Sequence, residues 1–303
     1  MITRRGFAAG LAVAIIGGVV EAADAGLPPS LAEDLRKVEA DSGGRLGVAV
    51  LDTASGMRAG HRAGERFPMC STFKLLAAAA VLKRVDAGQE RLDRRIRFTA
   101  ADIVVNSPVT KEHVADGMSL EELCAAAMTV SDNTAGNLIM ASLGGRQGGP
   151  WNGPAGGPEA LTDFARSLGD SVTRLDRVEP SLNEAVPGDP RDTTSPDAML
   201  GNLQALVLGK VLTAASREHL TGWLLGNKTG ATRLRAGLPP DWRVGDKTGA
   251  GDNGTTNDVG IVWPPQRAPV LVAIYLTGTS AGAEQRNATL AAVGRAVVTA
   301  LTG

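Results

Sequence analysis

The sequence predicts an α/β domain interrupted by an all-α insertion, and three observations predict it. An apolar run at residues 45–56, RLGVAVLDTASG, has the length and turn ending of a buried strand. From Phe67 to about Gly226 the chain is Ala/Leu-rich with helical patterning. From Trp242 strand signals return in WRVGDKTG, NDVGIVWPP and PVLVAIYLTG, and a last helix is expected from about Ala283 to Leu301. Residues 26–66 and 227–303 are therefore expected to form one α/β domain, with 67–226 as an all-helical domain inserted in it. Short turns between the late strands, such as GDNGTT, predict an antiparallel sheet flanked by the N- and C-terminal helices.

The elements follow in order. Residues 3–7, TRRGF, place a twin-arginine pair at the edge of an apolar stretch reaching about residue 20. That stretch is shorter than the ~20 apolar residues a membrane span requires. Small residues at Ala22, Ala23 and Ala25 then suit A-x-A-type cleavage. Residues 1–25 read as a twin-arginine export signal rather than a retained anchor, which implies a periplasmic or secreted bacterial product. Leu31 to Ala40 looks helical, with charges on one face. A capping box, Ser119 with Glu122, opens the helix that contains LCAAAMTV. Two stretches are irregular. Residues 144–158, GGRQGGPWNGPAGGP, have the composition of a flexible surface loop. Residues 174–196 include four prolines together with Glu, Asn, Arg and Asp, and a polar loop this long in a compact domain is more often functional than idle.

The bulk numbers exclude several classes. The 303 residues carry 31 basic and 32 acidic side chains, so no field favours nucleic acid or an anionic membrane. Hydrophobic residues make up 43%, enough for a sizeable core. His61, His113 and His219 have no metal-ligand spacing, so no metal or cofactor is expected. Cys70 and Cys124 form an even count, and export would permit a disulfide.

The chemistry begins at MCSTFKLLAAAAVL, residues 69–82, where Lys74 stands alone in an apolar run three residues after Ser71. Positions three apart share a helix face, and burying an unpaired ammonium is costly. A neutral amine beside a hydroxyl can take its proton and make it a nucleophile. Arginine could not, because it stays protonated. The chain has 24 Arg and only seven Lys, so a Lys in this position looks chosen for its titration. The bland alternative is a chance pair with the Lys reaching outward. A second group is Ser131-Asp132-Asn133, for which a helix N-cap is the competing reading. A third is Lys-Thr-Gly, which occurs twice. Lys228-Thr229-Gly230 follows a helix end and reads as a helix terminator. Lys247-Thr248-Gly249 ends a strand, where an edge can offer backbone groups to an extended ligand beside a Lys charge and a Thr hydroxyl.

S-x-x-K, SDN and KTG in that order resemble the penicillin-recognising acyl-serine enzymes. EPSLN, with Glu179 and Asn183 four apart in the polar loop, narrows the resemblance to class A serine β-lactamases, and TRLDR, NEAVPGDPRDTT and GDKTG extend it over nearly all of the chain after residue 32. The resemblance implies the β-lactamase/transpeptidase-like fold and a hydrolase that opens β-lactams through a Ser71 acyl-enzyme, conferring antibiotic resistance. It implies Lys74 as base partner of Ser71, and Ser131 as the relay of a proton to the departing nitrogen. Asn133 would hold the substrate's side-chain amide. Lys247 and Thr248, with Gly249 beside them, would bind its carboxylate. The N–H groups of Ser71 and Ala250 would form the oxyanion hole, and Glu179 with Asn183 would orient the hydrolytic water. Whether Lys74 or Glu179 takes the first proton stays open. Arg177 and Asp192 would pin the loop, and Glu179–Pro180 would be cis. The expected partners are β-lactam antibiotics and mechanism-based inhibitors, with no nucleic acid, no membrane after signal removal, and a monomeric chain. The competing functions are a D-Ala-D-Ala peptidase and a non-hydrolysing β-lactam sensor.

The chain departs from the family's pattern in four places. Residues 144–158 form an insertion of about a dozen residues. Many relatives carry an Arg on the strand after KTG, where this chain has Thr256; a subgroup supplies the guanidinium from the position of Arg233, which is therefore expected to bind substrate. Asn106 occupies a substrate-facing position where relatives carry an aromatic. Finally, relatives pair a Cys at the position of Ala78 with that of Cys124, or Cys70 with the position of Gly251. Positions 70 and 78 lie about 12 Å apart along a helix, and a disulfide tolerates about 7 Å between Cα atoms. Both thiols are expected to be free.

Overall fold

The computed structural model describes residues 29–144 and 156–302. The export signal expected over residues 1–25 and most of the Gly/Pro stretch lie outside the described residues.

Helix α1 (Pro29–Ser42) leads into strand β1 (Arg45–Asp52), which turns back into β2 (Arg58–His61). After the helical part come β3 (Arg243–Ala250), β4 (Thr256–Trp263) and β5 (Val270–Thr277). The five strands form one antiparallel sheet in the order β2-β1-β5-β4-β3, which leaves β3 at an edge. Side chains alternate across a strand. Val48 and Val50 of β1 therefore join one core with Leu31 and Leu35 of α1, and Ala49 and Leu51 join another beneath the helical part. Both faces are covered, which is why β1 reads as a continuous apolar run rather than an alternating one. The last helix, which packs with α1 on the outer face, is Ala283–Thr302.

The helical part comprises α2 (Phe73–Asp86), α3 (Leu120–Thr129), α4 (Asn133–Gly144), α5 (Gly157–Ser167), α6 (Pro196–Val207) and α7 (Ala214–Leu225), so the C-terminal helix is α8. Every residue of α2 from Phe73 to Leu82 is buried, as expected of a helix that is apolar all round and packed by α3, α4, α5 and α7. The capping box forms: Ser119 Oγ accepts from Glu122 N–H at 3.2 Å and Glu122 Oε2 accepts from Ser119 N–H at 2.7 Å.

The helical block is less continuous than its composition suggested. Between α2 and α3 the chain makes only short turns and a two-residue ribbon, Arg95–Ile96 with Met118–Ser119. Left-handed backbone at Asn106 (φ 62°) and Gly117 (φ 68°) is incompatible with helix there. Where the insertion departs, a Cβ on Gly156 would meet Gly144 O at 3.3 Å, so its two ends lie side by side between the packed helices α4 and α5. Such a site admits extra residues without disturbing the packing on either side.

Candidate active site

Ser71 lies in a 3-10 turn, Cys70–Thr72, that runs directly into α2, rather than in the α-helix itself. Lys74 Nζ donates to Ser71 Oγ at 3.0 Å, and Ser71 Oγ donates to Glu179 Oε1 at 3.1 Å. Lys74 Nζ also lies 3.0 Å from Glu179 Oε1 and donates to Ser131 O at 2.9 Å and to Asn133 Oδ1 at 2.7 Å. The ammonium is fully buried but fully partnered. Burial pushes its pKa down, and the Glu179 carboxylate opposes that fall. The serine hydroxyl thus touches the Glu179 carboxylate, a base as it stands, and the Lys74 nitrogen, a base once neutral, which its burial favours.

The SDN turn caps a helix and also reaches the serine's lysine. Asp132 Oδ1 accepts from Ala135 N–H at 2.9 Å near the start of α4, as a cap does, and Asp132 Oδ2 accepts from the N–H groups of Val109 and Thr110 at 3.0 Å. This anchors the turn so that Ser131, held at φ 59°, and Asn133 face Lys74. Asn133 Nδ2 donates to Val105 O at 2.9 Å. Asn106 Nδ2 turns back to Ser131 O at 3.3 Å, and its own carbonyl accepts Asn133 N–H at 3.0 Å. Asn is among the few L-residues that take up left-handed backbone readily.

The polar loop brings Glu179 to the serine. Its Glu179–Pro180 peptide is cis. Asn183 Nδ2 donates to Glu179 Oε2, while Asn183 Oδ1 is buried with no protein partner among the described residues. Asn137, which the sequence reading missed, brackets the Glu179 backbone: its Oδ1 accepts Glu179 N–H and its Nδ2 donates to Glu179 O, both at 2.9 Å. The signal was available, since Asn137 follows Asn133 by four residues and so shares its helix face. Arg177 Nε donates to Asp192 Oδ2 at 2.6 Å, and Asp192 Oδ1 accepts the N–H groups of Asp176 and Arg177 at 2.8 and 2.9 Å.

Edge strand β3 closes the site. Lys247 Nζ donates to Ser131 Oγ at 3.1 Å and to Thr248 O at 2.8 Å, and burial, with Lys74 nearby, pushes its pKa well down. A Cβ on Gly249 would stand 2.8 Å from Met69 O, so glycine is what lets the strand approach the serine turn this closely. Ala250 ends the strand and is exposed. The Arg233 guanidinium donates to Gly249 O and Asn257 O at 2.8 Å and to Asn287 Oδ1 at 3.1 Å, and burial lowers its pKa. Thr256 Oγ1 accepts from Arg286 Nε at 3.0 Å.

The first Lys-Thr-Gly does not stop a helix. Helix α7 ends at Leu225 and Gly226 caps it, with its N–H directed to Gly222 O and Leu224 O. Lys228-Thr229-Gly230 lies beyond that end, where the Thr229 hydroxyl touches the Thr248 hydroxyl. Glycine carried a true stop signal, but the earlier Gly226 had already met it. Cys70 and Cys124 are free and buried.

A serine held between an amine and a carboxylate, with a second serine bridged to a buried lysine, is an acyl-transfer arrangement. The comparisons agree with that chemistry. Residues 30–301 match the model of the β-lactamase enzyme family. β-Lactamase OXY-2 of Klebsiella oxytoca is 48% identical over 269 residues, covering 89% of each chain. β-Lactamase AST-1 of Nocardia asteroides is 50% identical over 265 residues, covering 88% of this chain and 82% of that one. Among solved structures, an ancestral class A β-lactamase is 60% identical with a TM-score of 0.84, covering 89% of this chain and 99% of the other. A putative class A enzyme, PenP from Rhodopseudomonas palustris, is 57% identical with the same TM-score and coverages. With the family model spanning nearly all of the described chain, the protein belongs to the β-lactamase enzyme family, in class A.

Proposed function

We infer that the protein hydrolyses the β-lactam amide bond of penicillins, and of cephalosporins with them, through a Ser71 acyl-enzyme, and so confers resistance on the bacterium that exports it. One observation carries this reading: a carboxylate that can drive water, Glu179, stands within 3.1 Å of the hydroxyl that would be acylated, Ser71. In acylation, Ser71 Oγ attacks the lactam carbonyl carbon as its proton passes to Lys74 or Glu179. The N–H groups of Ser71 and Ala250 receive the charge that develops on the carbonyl oxygen. Ser131, bridged between Lys74 and Lys247, delivers a proton to the nitrogen as the C–N bond breaks. In deacylation Glu179 takes a proton from a water oriented by Asn183, the hydroxide attacks the ester, and Ser71 recovers its proton. Asn133 and Asn106 line the side-chain end of the substrate, Arg177 and Asp192 keep the loop closed over it, and Lys247, Thr248, Gly249 and Arg233 receive its carboxylate.

The same reading carries export by the twin-arginine route to the periplasm or medium, and a chain that acts as a monomer. No helix among the described residues is long and apolar enough to cross a membrane. Purified mature protein should turn over nitrocefin repeatedly, and Ser71→Ala should abolish turnover. A single stoichiometric burst without turnover would identify a sensor instead, and inertness toward nitrocefin with cleavage of D-Ala-D-Ala peptides a peptidase.

The carboxylate end has its own test. Arg233→Ala removes a half-buried cation beside Gly249 O. The KM for benzylpenicillin should rise roughly 10- to 100-fold, the worth of a charge-assisted hydrogen bond. A wild-type KM in steady-state assays would remove Arg233 from the carboxylate site.

A further inference from the structure

Behind Thr248 runs a chain of polar side chains that none of these steps uses. Thr248 stands opposite Asp258 in the β3–β4 register, with Asp246 two residues back on the same face. The Thr248 hydroxyl meets that of Thr229, and Thr229 Oγ1 donates to Asn227 Oδ1 at 2.7 Å. Asn227 Nδ2 donates to Asp246 Oδ2 at 2.8 Å, and Arg235 donates to Asp246 Oδ1 at 2.6 Å. Asp258 is the diagonal cross-strand neighbour of Asp246 on this face and accepts Leu234 N–H at 3.2 Å on Oδ2. Its Oδ1 is buried with no hydrogen-bond donor among the described residues. Both carboxyl groups are fully buried. Gly230 makes the approach possible, since a Cβ there would fall 1.7 Å from Asp246 Oδ2.

Two carboxylates that neighbour each other on one sheet face, both away from water, disfavour each other's charge, so that one of them keeps its proton. The titratable groups that act on them are Arg235, which donates to Asp246, Arg233 from the same turn, and, through their charge or burial nearby, Lys247 of β3 and Tyr275 of β5. Arg235 is committed to Asp246, which makes Asp258 the partner that keeps the proton. Burial and Asp246 hold the Asp258 carboxyl well above the usual carboxylate range, against the pull of Arg233.

We propose that Thr229 and Asn227 are positioning residues that connect the Thr248 hydroxyl to an Asp246–Asp258 pair sharing one proton, and so fix the hydroxyl that receives the β-lactam carboxylate. This rests on the hydrolase reading above. In the free protein Thr229 donates to Asn227 and therefore accepts from Thr248. When a substrate carboxylate accepts a hydrogen bond from the Thr248 hydroxyl, the Thr229 hydroxyl rotates to donate to Thr248 Oγ1. Asn227 Oδ1 is not orphaned by this, because it also accepts Thr229 N–H at 3.0 Å.

Thr229→Val keeps the shape and removes the hydroxyl. The KM for benzylpenicillin should rise about tenfold, with kcat within about twofold of wild type, and Thr229→Ser should return KM to within about twofold. A wild-type KM in Thr229→Val, or a Ser variant as impaired as the Val variant, overturns the proposal. The shared proton is read by thermal unfolding from about pH 5 to about pH 9. A carboxyl whose folded pKa lies above its unfolded value must take up a proton on folding. The wild type therefore loses that stability as pH rises from about 4 toward the folded value. Asn resembles the protonated acid and does not titrate. The Tm of Asp258→Asn minus that of wild type should accordingly grow with pH, and a difference independent of pH overturns the shared proton. Should the wild type fail to hydrolyse β-lactams at all, the hydrolase reading falls, while the Tm comparison still reports on the acid pair.

Discussion

Glu179→Ala is expected to react with benzylpenicillin and then stall as a covalent adduct on Ser71. Acylation requires a nucleophile, a route for its proton and donors for the oxyanion. Lys74, 3.0 Å from Ser71 Oγ, supplies a proton route that survives the substitution. Deacylation requires a water to attack an ester, and neutral water is a poor nucleophile. A carboxylate in contact with that water takes its proton as attack proceeds, typically a contribution of ~10²–10⁴-fold. Glu179 is held for this from both sides, its backbone by Asn137 and its Oε2 by Asn183. Intact-protein mass spectrometry after mixing with benzylpenicillin should show the added mass persisting for minutes in the variant and clearing at once from wild type. Wild-type turnover by the variant, with no adduct, would take the deacylation role away from Glu179.

The two Lys-Thr-Gly copies permit a paired comparison with a comparably large contrast. Lys247→Ala should lower kcat/KM by between about 10- and 100-fold or more, because it removes a charged hydrogen-bond donor worth about 1.5–3 kcal/mol. The loss is double in kind. Lys247 Nζ is both a cation that we propose receives the substrate carboxylate and the donor that holds Ser131 Oγ, at 3.1 Å. Lys228→Ala should stay within about twofold of wild type, since that side chain is exposed and the backbone bond from Lys228 N–H to Thr129 O survives the change. Steady-state kinetics on both variants decides the matter, and equal losses would overturn the assignment of the second copy as the functional one.

Much of this was legible in the residues alone. The order of strands and helices, the capping box at Ser119, the lone Lys74 in an apolar run and the Glu179–Asn183 pair are local signals. Each depends on spacings of three or four residues or on alternation along one segment, and the chain's own periodicity enforces such spacings. What they specify is which residue types stand ready and on which kind of element.

The assembly of the site was decided elsewhere. Ser71 meets Glu179 across 108 residues of sequence, and Lys247 meets Ser131 across 116. No local pattern encodes such contacts; they exist because α2, α4, the polar loop and β3 bury their apolar faces against common cores. The same cause explains the errors. Lys228-Thr229-Gly230 carried a true glycine signal, yet Gly226 had already ended α7, and packing then laid Thr229 against Thr248. Packing likewise set the contact of Asn106, whose left-handed backbone lets its amide reach Ser131 O, a partner that no spacing reveals. The sequence by itself determined the reacting groups and the elements that carry them. Only the tertiary structure decided which of them touch, because contact between distant segments is settled by what the whole core can bury.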